Sequence, residues 1–312
     1  MKIFKEFEPS PENCGIRTVA TLGTFDGVHV GHRKIFEHVV AHAKTTGKEA
    51  VVLTFDKHPV SVIKPDVTPN LLTTLREKLE MFKESGIEST YILNFTKQIS
   101  EMTAEQFIEK YLICCLGMEY FVAGYDHGFG KGRAVSPEKL QEYARKFNFK
   151  LEILQPVTYE GIIIKSSAIR EYVLKGTVDL ASALLGYDYS LQGDIVEGRG
   201  IGKKIGFPTA NMVPKNGEKI IPATGVYSGW IKFENVKKDA LITVGPSPTF
   251  NYDEELIEIH IPNYDGNLYG KSARIGFVKR MRDIEKFGYQ KELVQQIKND
   301  IEKSKHFITN YQ

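Results

Sequence analysis

Gly23-Thr24-Phe25-Asp26-Gly27-Val28-His29-Val30-Gly31-His32 lies between an apolar β-branched run, Thr18–Leu22, and an amphipathic stretch, Gly31–Lys44. The run reads as a strand. In the amphipathic stretch Ile35, Phe36, Val39, Val40 and Ala43 share one helical face, and Gly47 supplies a stop. A Gly-rich turn is thereby placed at a helix N-terminus. The first N–H groups there lack intrahelical partners, and the macrodipole favours negative charge. Gly23, Gly27 and Gly31 let backbone approach a ligand, Asp26 can orient the turn, and Thr24 and Phe25 complete it. His29 and His32 share a face, from which two imidazoles can donate to phosphate oxygens. The reading is a phosphate-handling turn in an α/β domain. A His-x-x-His pair also suits a metal, but no third ligand is near in sequence, and protein metal sites ordinarily use three or four.

Outward from this turn the strand–helix rhythm repeats. Ala50–Phe55 reads as a strand buried on both faces, Thr73–Glu84 as a helix and Thr90–Phe95 as a strand. Thr103–Leu116 reads as a helix opened by a Thr103/Gln106 capping box. Phe121–Ala123 is a strand, Ser136–Lys146 a helix with Pro137 at its first position, and Lys150–Leu154 a strand. This alternation predicts a doubly wound, Rossmann-like parallel sheet, whose ligands bind beyond the carboxyl ends of the strands. Two short helices follow, at Ser167–Lys175 and Val178–Leu185. The pattern then changes to short β-type runs separated by Gly, Pro, Asn and Asp: Tyr189–Glu197, Gly225–Phe233, Ala240–Val244, Leu256–Ile261 and Ser272–Val278. These predict a small antiparallel barrel or sandwich, closed by a helix at Lys291–Lys303. The expected class is α/β plus β, with domains at 1–185 and 186–312.

The length of 312 residues suits two domains, each with its own core. With 42% hydrophobic and 26% charged residues and a formal charge of +2, nothing favours a nucleic-acid or membrane partner. Lys203-Lys204 is a local candidate anion site. The three cysteines are odd in number and lack zinc-ligand spacing, which favours a reducing compartment. Met1–Glu8 has no apolar core of signal-peptide length, and no apolar stretch approaches the roughly 20 residues of a membrane span. A cytoplasmic protein is expected, and a homo-oligomer is left open.

Three further segments fall at strand ends of the first domain. Thr54-Phe55-Asp56-Lys57-His58-Pro59 ends a strand, and Ala123–Arg133 is rich in Gly and basic residues. Ser166-Ser167-Ala168-Ile169-Arg170 opens a helix. Together with the Gly-x-Phe-Asp-Gly-x-His-x-Gly-His turn, Ser166 and Arg170 resemble the HxGH nucleotidyltransferase superfamily. His58-Pro59 and Gly130-Lys131-Gly132-Arg133 are similar to its flavin branch, the FMN adenylyltransferase half of bacterial bifunctional FAD synthetases. The resemblance implies that His29, His32, Ser166 and Arg170 bind and polarise the ATP phosphates, with Ser167 and the turn residues beside them. It places FMN near His58 and Asp126. Lys57, His127, Gly128 and Lys165 depart from the family pattern.

Gly198–Asn211 superficially resembles a P-loop. The spacing to Gly202-Lys203 is one residue short, and Lys204 replaces the Ser/Thr that binds Mg²⁺. Gly206-Phe207-Pro208-Thr209-Ala210-Asn211 instead resembles the Gly-Phe-Pro-Thr-Ala-Asn motif of riboflavin kinases. Pro222–Tyr227, Gly245–Phe250, Glu258-Ile259-His260, Leu268–Lys271 and Arg282–Phe287 follow in family order, with Ser247 where Arg is frequent. Strand alternation puts Ile257, Ile259 and Ile261 on one face, and Glu258 and His260 on the other. From alternation alone Glu258 could simply face solvent. The resemblance implies that it is the general base on the ribityl hydroxyl. It also implies that Thr209 and Asn211 hold Mg²⁺ and phosphate, that Gly202, Lys203, Gly206 and Pro208 line the ATP site, and that Arg282 serves the flavin or phosphate side. Riboflavin, FMN and ATP are the implied partners. Two rivals remain: one half reduced to a regulatory flavin- or nucleotide-binding module, and an RNA-binding barrel, which the near-neutral charge opposes.

Overall fold

The computed structural model describes residues 1–5, 17–125, 128, 130, 135–198, 201–215, 217, 219–245 and 257–309. Internal contacts divide the chain into two units, Met1–Ser166 and Ser167–Gln312.

The first unit is a parallel sheet of β1 (Lys2–Phe4), β2 (Thr18–Leu22), β3 (Glu49–Phe55), β4 (Ser89–Leu93), β5 (Met118–Gly124) and β6 (Lys150–Leu154). Their spatial order is β1-β4-β3-β2-β5-β6. The chain leaves β2 towards β3 on one side and later returns to β5 on the other. The end of β2 is therefore a topological switch point, where open α/β sheets bind ligands. Helix α1 (Val30–Thr46) buries Ile35, Phe36, Val39 and Ala43 and ends at Gly47 in the left-handed conformation. Its apolar face joins Val19, Ala50, Val52 and Val122 in one core. On the opposite sheet face Ala20, Leu53, Phe121, Leu112 and Leu140 form the second core.

Between these elements lie α2 (Pro59–Ile63), α3 (Leu75–Glu84), α4 (Lys97–Glu101), α5 (Ala104–Phe107) and α6 (Pro137–Phe147). The expected capping box is present, with Gln106 Oε1 accepting from Thr103 N and Thr103 Oγ1 accepting from Gln106 N. Beyond it the expected single α-helix becomes π-helical over Ile108–Cys115. Edge strand β1 and a hairpin, β7 (Thr158–Tyr159) with β8 (Ile162–Ile163), were not expected from the sequence. These segments are too short to show a period.

The second unit begins in α7 (Ser166–Leu174) and continues through α8 (Val178–Leu185) to a closed barrel. The barrel strands are β9 (Tyr189–Val196), β10 (Thr209–Pro214), β11 (Gly225–Phe233), β12 (Val236–Val244), β13 (Ile257–His260) and β14 (Ser272–Arg282), with short α9 (Ile201–Lys204) after β9. Their order is β10-β13-β12-β11-β14-β9, all antiparallel. Closure removes the edges an open sheet would expose. Alternate residues fill the interior: Tyr189, Ile195, Met212, Ile231, Ile242, Ile259, Ile275 and Phe277 are buried. The sixth strand, β10, coincides with the Pro-Thr-Ala-Asn motif, whose composition hides its strand character. Helix α10 (Gln290–Thr309) packs on β11, β12 and β14. Among the described residues no helix is long and apolar enough to cross a membrane.

Candidate active sites

The turn after β2 is held in an unusual backbone shape. Gly23 N donates to Leu53 O at 3.1 Å, keeping the chain tied to β3. Phe25, Gly27 and Val28 then all have positive φ, at 47°, 83° and 36°. For Phe25, and more so for β-branched Val28, this conformation is strained and persists only where surrounding contacts over-determine it. Those contacts are visible. The buried Asp26 carboxylate accepts from Leu72 N, Thr73 N and the Thr73 hydroxyl at 3.0–3.1 Å. Thr73 Oγ1 in turn accepts from Gly27 N at 2.8 Å. The Ser166 hydroxyl donates to Asp26 O at 2.8 Å, and Lys78 Nζ donates to Thr24 O at 2.9 Å. Phe25 packs edge-on to Phe36, Phe82 and the His32 ring. Asp26 thus shapes the turn through the backbone at Leu72–Thr73. Burial lowers the Lys78 pKa from its ordinary 10.5 to about 8, outweighing the nearby charges of Asp26 and Asp56.

His29 is the N-cap of α1, a position usually held by Ser, Thr, Asp or Asn. Its Nδ1 accepts from His32 N at 3.3 Å, and the two rings stack with centroids 3.5 Å apart. Gly31 lies against this pair, since a Cβ there would come within 3.2 Å of the His29 ring. The result is two parallel imidazoles at the positive end of a helix, suited to an anion. Ser166 and Arg170 are one turn apart on α7, with Ser167 exposed between them. His58 caps α2 by accepting from Val60 N at 3.3 Å, beyond the end of β3. Asp126 lies outside the described residues. The preceding Tyr125 lines an open groove of about 730 Å³ together with Pro137, Gln141, Arg145, Leu151 and Gln155.

In the barrel, antiparallel register does what sequence spacing does not. Asn211 of β10 lies directly opposite Glu258 of β13, and Thr209 lies opposite His260. Directly paired residues project to the same sheet face with Cβ atoms roughly 4.5–5.5 Å apart. Ile257 and Ile259 are buried while Glu258 is exposed, so this face is the outer one. Glu258 is open to solvent yet crowded by protein, and the resulting desolvation raises its carboxyl pKa above the ordinary value. Asn211 is only 5% exposed because the chain leaving β9 covers it. A Cβ on Gly198 would fall 1.7 Å from Asn211 Nδ2, and one on Gly202 would fall 2.2 Å from Phe207 O and 3.3 Å from Thr209 Oγ1. Gly202 and the exposed Lys203 lie in α9, and Gly206 has φ 86°. Pro208 O accepts from His260 Nδ1 at 2.9 Å. Thr209 and Asn211 offer neutral oxygens one strand period apart beneath a Gly-rich cradle, a donor set that fits a hard cation such as Mg²⁺. Arg282 pairs through Nε and Nη2 with Asp300 of α10, at 3.0 and 2.8 Å. Leu72, Thr73 and Lys78 are the supporting residues that the sequence reading missed. No local motif marks them, because their partners are 46–54 positions away.

A parallel sheet with paired imidazoles at its switch point, joined in one chain to a barrel whose outer face pairs an acid with neutral oxygen donors, points to a class of two-site phosphate-transfer enzymes. The family model described as FAD synthetase matches residues 12–168, and that described as riboflavin kinase matches residues 185–308. Bifunctional riboflavin kinase/FMN adenylyltransferases are similar over most of their length. That of Listeria monocytogenes serovar 1/2a is 33% identical over 94% of this chain and 93% of its own. That of Bacillus subtilis (strain 168) is 32% identical over 94% and 93%, and that of Escherichia coli (strain K12) 30% identical over 90% and 90%. A crystal structure described as a macrolide-efflux protein from Streptococcus pneumoniae superposes with a TM-score of 0.88 at 30% identity, covering 98% of this chain and 99% of that one. The chain belongs to the bifunctional riboflavin kinase/FMN adenylyltransferase family.

Proposed function

We propose a division of the two family reactions between the two sites, residue by residue. In the barrel, the ribityl 5′-hydroxyl of riboflavin attacks the γ-phosphorus of ATP, Glu258 accepts its proton, and ADP leaves. A carboxylate made more basic by desolvation suits that task, because an alcohol must lose a proton during attack. Thr209 and Asn211 would hold Mg²⁺. When bound, the ion neutralises and aligns the phosphate oxygens in transfer. Gly202, Lys203, Gly206 and Pro208 line the phosphate path. The single observation that carries this reading is the cross-strand pairing of Asn211 with Glu258.

In the parallel-sheet unit an FMN phosphate oxygen attacks the α-phosphorus of ATP and pyrophosphate leaves. The nucleophile is already an anion, so the protein has to position the reactants and neutralise charge rather than remove a proton. The stacked His29–His32 pair, the α1 N-terminus, Ser166, Ser167 and Arg170 supply donors for this. The flavin side takes His58 and Asp126 here. It takes Arg282 in the barrel, whose guanidinium has five N–H donors and so retains some beyond the Asp300 pair. Asp26 and Lys78 shape the turn. The boundary between activities is placed near Gly186, the compartment is the cytoplasm, and the partners are small molecules rather than nucleic acid or membrane.

The test is a time course of flavin products from riboflavin, ATP and Mg²⁺. FMN rising first and FAD following at its expense supports both assignments. A chain that makes FMN alone, or that uses only supplied FMN, has one inactive half and overturns the corresponding assignment.

A further inference from the structure

We propose that His38, His42 and Glu152 form a divalent transition-metal site of the zinc type, separate from both transfer sites, that clips α1 to edge strand β6. His38 and His42 are four residues apart on α1 and so lie on one helix face. Glu152 projects from β6 between them, opposite in face to the buried Phe121 core. Its two oxygens are divided between the rings: Oε1 lies 3.0 Å from His38 Nδ1, and Oε2 lies 2.8 Å from His42 Nε2. The Tyr120 hydroxyl donates to Oε2 at 3.4 Å, and its ring stacks on His42 with centroids 4.2 Å apart. The three ligand atoms all lie within 4.8 Å of one another.

Zinc binds imidazole nitrogen and carboxylate oxygen at about 2.0–2.2 Å, so tetrahedral donors stand about 3.4 Å apart. The Glu152 oxygens already stand 3.0 and 2.8 Å from the two imidazole nitrogens, and one donor atom from each residue lies within 4.8 Å of the others. The side chains are 27–33% exposed, so water can reach a fourth position. Two imidazoles with one carboxylate favour Zn²⁺, Ni²⁺ or Cu²⁺ over Mg²⁺ or Ca²⁺, which prefer all-oxygen sets. Tyr120 is placed to orient both Glu152 and His42, as outer partners of metal ligands do. The same helix carries His29 and His32 at its other end, so a clip on its C-terminal half also steadies the anion site.

The experiment is a Zn²⁺ titration of the chelator-stripped full chain, in excess Mg²⁺, against a chromogenic chelator. One tight equivalent is expected, with a metal-dependent rise in thermal midpoint. Affinity falls at least about tenfold, the scale that even outer-shell changes reach at metal sites, in His42→Ala and in the milder Glu152→Gln. It is unchanged in the His29→Ala/His32→Ala double variant. Each variant is first matched to wild type by its circular dichroism in chelator; His38→Gln replaces any that fails. No stoichiometric binding, or binding whose affinity is unchanged in His42→Ala and Glu152→Gln, or binding lost only with His29 and His32, overturns the proposal.

Discussion

Glu258, His32 and Lys78 each have a chemistry decided by their surroundings. Glu258→Gln keeps the shape and removes the carboxylate proposed as the base. FMN formation from riboflavin is expected to fall by about 10²–10⁴-fold, the usual worth of general-base catalysis, while FAD formation from supplied FMN persists. Because desolvation raises the Glu258 carboxyl, wild-type kinase rate should begin to fall with decreasing pH above the ordinary glutamate range. A profile falling only at the ordinary range separates the base from this residue. His32→Ala should do the reverse, lowering FAD formation on the order of 10²-fold and sparing FMN formation; chromatography of the two flavins reads both. Lys78 bears on stability. Its folded pKa of about 8 lies below its ordinary 10.5, so between these values the unfolded chain binds the extra proton. The cost of burying the ammonium is fully present below about 8 and disappears as pH rises towards 10.5. Wild type should therefore gain stability over Lys78→Met across that window, by up to on the order of 3 kcal/mol, measured as urea midpoints. The histidines of the turn were legible in the sequence because a helix start declares itself locally. Lys78 was not, because its partner Thr24 is 54 positions away.

Elements place these residues, and two of them do so by close approach. The segment leaving β9 can cover Thr209 and Asn211 only because Gly198 and Gly202 lack Cβ atoms. Gly202→Ala would bring a Cβ to 2.2 Å from a backbone oxygen, which cannot rotate away as a side chain can. The segment must shift, so kinase KM for ATP should rise while FAD formation stays unchanged; a wild-type KM would show that the cradle is not used. The element reading from sequence held for α1, β2, β6, α8 and β11, whose periods are long or whose caps are explicit. It missed β10, which is read as a motif before it is read as a strand, and it missed the π-helical turn after α5. A register of i to i+5 leaves no distinct mark in an apolar pattern.

At the scale of the whole molecule, the chain is two units with different architectures, and each closes its own core. The barrel depends on α10 through Arg282 and Asp300, whose side chains are 17% and 3% exposed. Asp300→Ala would leave a largely buried guanidinium without its carboxylate, with an expected loss of about 3 kcal/mol in denaturant unfolding and no specific effect on the first unit's FAD formation at permissive temperature. By itself the sequence determined the α/β-then-β order and the switch-point turn, because helix starts and strand alternation are local properties of a chain. It offered His29 and His32 as candidates from that turn, and Thr209, Asn211 and Glu258 as candidates through their resemblance to riboflavin kinase motifs. Only the tertiary structure decided that Asn211 faces Glu258 across a barrel seam, that Asp26 is spent on Leu72 and Thr73, and that Glu152 divides itself between two histidines of α1. Those are pairings between distant segments, set by strand register and burial, and no local pattern in the sequence encodes which partner a side chain will meet.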